Sequence, residues 1–191
     1  MPRLADHDER RAHILDALLR IAASRGLHAA SMRTVAAEAG VTVSTVQHYF
    51  QDKEHLLYAG LERLSVRVGE RALRSVAGDG PRAVVRAWLG QFIPVDAEQR
   101  AAYTVFAAYH ALALTDDKLA RLPYGRRTGA LERTLAGNLI GSCNDPDAAA
   151  AIALALATGL GDSVMAGIRT PEAALALLER HLDDVLGGDV A

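Results

Sequence analysis

The chain has 191 residues, half of them hydrophobic, and a formal net charge of −2. That length and apolar content support one medium core, or a small domain joined to a larger one, and the near-neutral balance excludes a nucleic-acid binder that works by bulk charge. A single cysteine, Cys143, excludes an intramolecular disulfide and a cysteine-rich metal site.

In chain order, the run RRAHILDALLRIAASRG predicts an amphipathic helix. Ile14, Leu15, Leu18, Leu19, Ile21 and Ala22 form its apolar stripe, and Gly26 supplies the stop. The next segment, SMRTVAAEAGVTVSTVQHYFQDKEHL from Ser31 to Leu56, reads as two short helices joined by a tight turn. Ser31 is suited to cap the first, because its hydroxyl can accept from a free N–H of the first turn. Met32, Val35, Ala36 and Ala39 then recur on one face. Gly40 sits where a helix ends in a left-handed residue, and Val41 is expected to be buried in the turn. Thr42 caps the second helix, from Val43 to about Phe50, with Val46 and Phe50 facing inward. Val43, Ser44, Thr45, Gln47, His48 and Tyr49 are left to face outward or flank the seam. Asp52 caps a third element with Lys53 in its first turn. A projecting helix of this size fits the DNA major groove, about 12 Å wide.

Beyond Leu61 the chain reads as helices throughout, with no period-2 alternation. The expected spans are Asp52 to about Val76, with Leu56, Leu57, Leu61, Leu64 and Val68 inward; Pro81 to Ile93, closed by Pro94; Asp96 to Leu114; and Lys118 to Leu139, bent near Pro123 and Gly125. Asp145-Pro146 and Thr170-Pro171 each pair a cap with a proline at the first helical position. They open helices running to Ala166 and to Gly187. The small residues Ala149, Ala153, Ala157 and Gly161 suit the first of these to pack against a two-fold mate or inside its own core. Ala174, Leu175, Leu178, Leu182 and Leu186 stripe the second.

From about Arg10 to Leu61 the chain resembles the N-terminal DNA-binding domain of the tetracycline-repressor (TetR) family. The resemblance rests on Ala22, Gly26, Ser31, Val35, Ala36, Ala39, Gly40, Val41, Thr42, Tyr49, Phe50, Lys53 and Leu56. The closing run TPEAALALLERHLDDVLG is similar to C-terminal domains of the BetI-like group. The resemblance implies an all-α fold: a helix-turn-helix DNA-binding domain over residues 1–56 and a helical effector-binding and dimerisation domain over 57–191. It also implies a homodimeric transcription regulator, most often a repressor, with a small-molecule effector of unknown identity and no cofactor. Three positions depart from the pattern. Val43 stands where lysine or arginine is frequent, Ser44 where glycine is frequent, and Gln47 where an aromatic is usual. The first departure removes a phosphate contact. The third offers a side chain that can pair in bidentate fashion with adenine, worth about 1–3 kcal/mol of discrimination.

The expected DNA contacts are Ser31, Arg33, Thr34, Thr42, Ser44, Thr45, Gln47, His48, Tyr49 and Lys53. Gln47 is the base reader, and Tyr49 resembles the family's phosphate-contacting aromatic. Each also has a bland reading as a cap, a solvated side chain or core. Residues 1–60 carry seven basic side chains (Arg3, Arg10, Arg11, Arg20, Arg25, Arg33, Lys53) and seven acidic ones (Asp6, Asp8, Glu9, Asp16, Glu38, Asp52, Glu54). Affinity for a double-stranded operator must therefore come from charge placement and from two recognition helices, about 34 Å apart or a multiple of that, on a palindrome. Trp88, Phe92, Tyr103, Phe106, Tyr109 and His110 are the candidates to line an effector pocket, or else they pack the core.

No G-x-S-x-G, H-E-x-x-H or G-x-x-x-x-G-K occurs. Asp116-Asp117 and Asp183-Asp184 are adjacent pairs whose side chains diverge on a helix, so no enzyme and no metal site is expected. The polar start has no signal-peptide core. DAAAAIALALATGLG reads as too short to cross a bilayer, so a cytoplasmic location without a membrane partner is expected. The alternative function is a dimeric helical small-molecule-binding or structural protein that does not bind DNA.

Overall fold

The computed structural model describes residues 2–115 and 124–186. The pairs and helix ends expected at Asp116-Asp117, Lys118, Pro123 and Gly187 lie outside them. Among the described residues the fold is all-α: α1 Pro2–Arg25, α2 Met32–Glu38, α3 Val43–Tyr49, α4 Lys53–Arg74, α5 Pro81–Leu89, α6 Ala97–Thr115, α7 Tyr124–Leu139, α8 Pro146–Met165 and α9 Pro171–Leu186. The chain forms two compact units, residues 1–67 with 104–124 and residues 68–103 with 125–191. The division falls inside α4, inside α6 and after the first residue of α7.

In the first unit α1 buries Ile14, Leu15, Leu18, Ile21 and Ala22 completely or nearly so, as its periodicity requires. Gly26 stops it at φ 81°. Val35 and Ala36 of α2, Val46 of α3, Phe50, and Leu56, Leu57 and Leu61 of α4 complete this core. Val41, expected to be buried, is only half-buried. Its place in the turn is fixed by its N–H, which donates to the Ala36 carbonyl at 3.0 Å, and not by packing. Val68 is also half-buried, in the second unit.

The second unit is built around Val85, Leu89, Ile93, Leu135, Leu139, Leu154, Leu160, Val164, Leu178 and Leu182. α5 ends at Leu89 and tightens into a 3₁₀ turn over Gly90–Phe92, short of the expected α-helical run to Ile93. Pro94 has no N–H to donate to the Gly90 carbonyl, and it drives the residue before it out of the helical region. Ile93 accordingly lies at φ −108°, ψ 101°. Asp145 and Thr170 cap α8 and α9 through the N–H groups of Ala148 and Ala173.

α8 corrects one expectation. At 20 residues it is long and apolar enough to cross a membrane by length and composition; the expected shortness came from stopping the apolar run before Met165. It nevertheless buries Ala150, Ala153, Leu154, Ala157, Leu160 and Val164 in the core of its own unit. The small-residue stripe is also used inside the chain. Ala153, Ala157 and Gly161 are buried, and a Cβ built on Gly161 would stand 2.1 Å from the Phe92 carbonyl oxygen and 2.5 Å from the Tyr103 ring. Only a residue without a side chain lets the 3₁₀ turn approach so closely. The face of α8 left exposed carries Ala148, Ile152, Ala155 and Gly159.

Candidate nucleic-acid interface

The turn between α2 and α3 is a Schellman closure. Gly40 lies at φ 65°, its N–H donates to the Ala37 carbonyl at 3.2 Å, and the Val41 N–H reaches Ala36. Both helices are capped by their own side chains. Ser31 Oγ accepts from the Thr34 N–H at 3.1 Å, and Thr34 Oγ1 accepts from the Ser31 N–H at 2.8 Å, a reciprocal capping box. Thr34 also donates to the Ala29 carbonyl. Thr42 Oγ1 accepts from the Thr45 N–H and lies 2.8 Å from both the Ser44 and Thr45 hydroxyls. The polar atoms of Ser31 and Thr34 are thus held within the protein, whereas Thr42, Ser44 and Thr45 form one hydroxyl trio at the start of α3.

Two residues hold α3 to the core. Val46 and Phe50 are fully buried, and the Arg11 guanidinium sits 5.4 Å from the centre of the Phe50 ring. Thr42, Val43, Ser44, Gln47 and His48 are exposed, and Thr45 and Tyr49 are half-buried. Tyr49 is bracketed by His48 at 5.3 Å and by His7, from α1, at 4.6 Å between ring centres. Sequence reasoning missed His7, which no periodic pattern links to α3. It likewise missed His13, whose Nε2 lies 2.9 Å from the Ala39 carbonyl and ties α1 to the end of α2.

Charge placement accounts for the neutral balance. Glu38 is bound by Arg20 at 2.9 Å and faces Arg25 at 3.9 Å. Asp16 is gripped by Arg63 through two hydrogen bonds of 2.6 and 2.7 Å, with Arg67 at 3.5 Å. Burial pushes the Asp16 carboxyl up, but the Arg63 hydrogen bonds and the charges of Arg63, Arg67 and Arg20 outweigh it and hold the group below the usual carboxylate range. Asp52 spends its carboxylate on the His55 N–H at 2.7 Å, at the start of α4. Arg33 and Lys53 are exposed and make no ion pair with any described residue. From Val41 to Gln51 the chain carries no acidic side chain at all.

The aromatics expected to line a pocket divide between the two units. Trp88, Phe92 and Tyr103 lie in the second, each half-buried. Tyr103 hydroxyl is 2.8 Å from an Asp162 carboxylate oxygen and 3.0 Å from the Thr158 carbonyl. Phe106, Tyr109 and His110 lie in the first unit. There Tyr109 is buried with its hydroxyl donating to the Leu57 carbonyl, Phe106 is half-buried and His110 is exposed.

Residues 14–59 match the family described as bacterial regulatory proteins, tetR family, and residues 81–187 match the C-terminal domain of BetI-type transcriptional repressors. The chain is similar to the HTH-type transcriptional regulator PksA of Bacillus subtilis, with 31% identity over 59% of this chain and 56% of that protein. It spans about half the length of the curated relatives it matches. Among solved structures, a transcriptional regulator from Rhodococcus sp. Rha1 superposes with a TM-score of 0.82 at 28% identity, covering 93% of this chain and 96% of the other. A transcriptional regulator from Saccharomonospora viridis, solved in complex with choline, gives a TM-score of 0.71 at 22% identity over 95% and 97% of the two chains. At that identity it shows the fold alone.

Proposed function

The chain belongs to the tetR family of bacterial regulatory proteins, and we propose that it is a cytoplasmic DNA-binding transcriptional regulator that acts as a homodimer and releases its operator when a small molecule binds. One observation carries this reading. α3 is anchored in the core by Val46 and by Phe50 just past its end, and it turns Ser44, Gln47 and His48, with the capping Thr42, to solvent, with no carboxylate in the segment. A helix held in this way presents base-reading groups to a major groove, while the exposed cations Lys53 and Arg33 and the phenol of Tyr49 are the groups suited to phosphate in a helix-turn-helix.

Residues 1–56 act as the DNA-binding domain and 57–191 as the effector and dimerisation domain. Gln47 reads a base, Ser44, Thr45 and His48 supply base or phosphate contacts, and Lys53 and Tyr49 grip the backbone. Ser31, Thr34 and Thr42 set the two helices, leaving Arg33 as the cation that reaches the neighbouring strand. The exposed small and apolar row Ala148, Ile152, Ala155 and Gly159 on α8 supports a two-fold contact, because short side chains let two helices approach closely. Two recognition helices would then meet half-sites about 34 Å apart, or a multiple of that, on a palindrome. Trp88, Phe92 and Tyr103 supply apolar and π surface for an effector in the second unit; an aromatic lining favours a cationic or amphipathic molecule.

The test is a mobility shift with duplex from upstream of the chain's own coding sequence. Binding should weaken steeply as salt rises. Loss of the shifted band on adding choline or another small amine would support the effector class. A monomer at micromolar concentration by analytical ultracentrifugation would overturn the dimeric mechanism.

A further inference from the structure

One residue beside the recognition helix, His7, has no part in the reading above. The His7 ring lies 4.6 Å from Tyr49 and 6.3 Å from His48, and the His48 ring lies 5.3 Å from Tyr49. Two imidazoles, one from α1 and one from the recognition helix, therefore flank a single phenol. Both are open to solvent, His7 with about half of its side chain exposed.

We propose that His7 is a further residue of the DNA-contacting surface, and that His7 and His48 together form an anion-binding site around Tyr49 that is switched on by protons. This rests on the DNA-binding reading. Histidine changes charge between about pH 5 and 8, and a protonated imidazole donates from both ring nitrogens and accepts from none. His48 occupies the last turn of α3, and its ring meets the Tyr49 ring edge to face.

The groups facing the pair among the described residues decide which imidazoles take part. On α1, Asp8 stands 3.9 Å from His7 Nδ1. Arg11 is turned onto Phe50, and Arg10 also belongs to this stretch of α1. At the start of α4, Asp52 is occupied by the His55 N–H, and Lys53 is exposed. His55 Nδ1 accepts from the Gln51 N–H at 3.3 Å, which engages that ring nitrogen. The fixed side-chain charges of residues 1–60 cancel, so any proton taken up by His7 or His48 makes their balance positive, and a dimer takes up twice as many. As pH falls, charge appears opposite phosphate and binding tightens.

The experiment measures fluorescence anisotropy with a labelled duplex recovered by selection from a random-sequence pool. It is run from pH 6 to 8 at fixed ionic strength, where far-UV circular dichroism is constant. Affinity should be about tenfold or more higher at pH 6, with the slope of log affinity against log salt steeper there by about one to two. His7→Gln and His48→Gln should each lower the pH 6 to pH 8 ratio, and the double variant should bring it near one, while His28→Gln keeps the ratio. Equal affinities at the two pH values, or a double variant that keeps the full ratio, would overturn the proposal and leave the DNA reading standing. Recovery of no duplex at any pH would overturn the DNA reading and this proposal with it.

Discussion

The hydroxyl of Tyr109 donates to the carbonyl oxygen of Leu57 at 2.6 Å, inside the first unit. A Cβ added to Gly60 would lie 3.0 Å from that hydroxyl and 2.4 Å from Leu18 Cδ2, so Gly60 leaves the room in which α6 seats this phenol against α4 and α1. Tyr109→Phe should cost about 1 kcal/mol, the usual net worth of one hydrogen bond. Gly60→Ala should cost about 1–3 kcal/mol through overpacking. Burial raises the phenol above its ordinary value, so the neutral form stabilises the fold. Stability from this group is full below about pH 10 and falls as pH rises beyond it. Urea denaturation between pH 8 and 11 should show that decline in the parent and less of it in Tyr109→Phe.

Specificity and affinity should separate at α3. Gln47→Ala is expected to change the ranking among operator variants by about 1–3 kcal/mol at one base pair, whereas Lys53→Ala should weaken all of them by a similar factor and reduce the salt slope by about one. Equal losses across every variant for Gln47→Ala would remove its reading role.

Gly40 has open space around its missing Cβ but a φ of 65°. Gly40→Ala should therefore cost about 1–2 kcal/mol from backbone strain alone. Gly40→Asn should cost less, because asparagine tolerates the left-handed region. Thermal melting of the two variants tests this. An alanine variant as stable as the parent would mean that the turn is not held left-handed in solution.

The paired Asp16 carboxylate adds stability above the unfolded-state value near pH 4, and that contribution is lost as pH falls through its lower folded value. Asp16→Asn should lose about 1 kcal/mol at pH 7, a small figure because Arg63 and Arg67 are themselves partly solvated. It should also flatten the acid limb below about pH 4. Denaturant melts at pH 3, 4 and 7 would show both.

Gly161→Ala should destabilise the second unit by about 1–3 kcal/mol, and by more if the turn cannot yield, because the new methyl meets backbone. Loss of the Tyr103–Asp162 contact should accompany it, read as a change in tyrosine fluorescence. Gly159→Ala, on the exposed side of the same helix, is the control and should leave the monomer's stability unchanged or raised.

The parts of this molecule that could be read from sequence are those in which cause and effect lie within a few residues. Ser31, Gly40, Thr42, Asp52, Asp145 and Thr170 each act on the next turn of chain, and the helices begin or end beside them. The break at Gly90 was legible in principle, since Pro94 lacks the N–H that the ladder needs. What escaped depends on the chain meeting itself. Alanine and glycine populate every side of α8, so nothing in their order tells which side meets the Phe92 carbonyl. Tyr109 follows the apolar period of α6 as faithfully as Phe106, yet only the fold seats it on Leu57. His7 sits in a polar stretch, and only the crossing of α1 over the end of α3 brings it to Tyr49.

Because the buried anchors Val46 and Phe50 and the Thr42 cap secure α3, the exposed positions Ser44, Gln47 and His48 carry little duty in folding. Mutation can rewrite those positions freely, so a lineage could acquire new target genes, or an engineer could transplant another regulator's reading face, while the body of the protein stays the same.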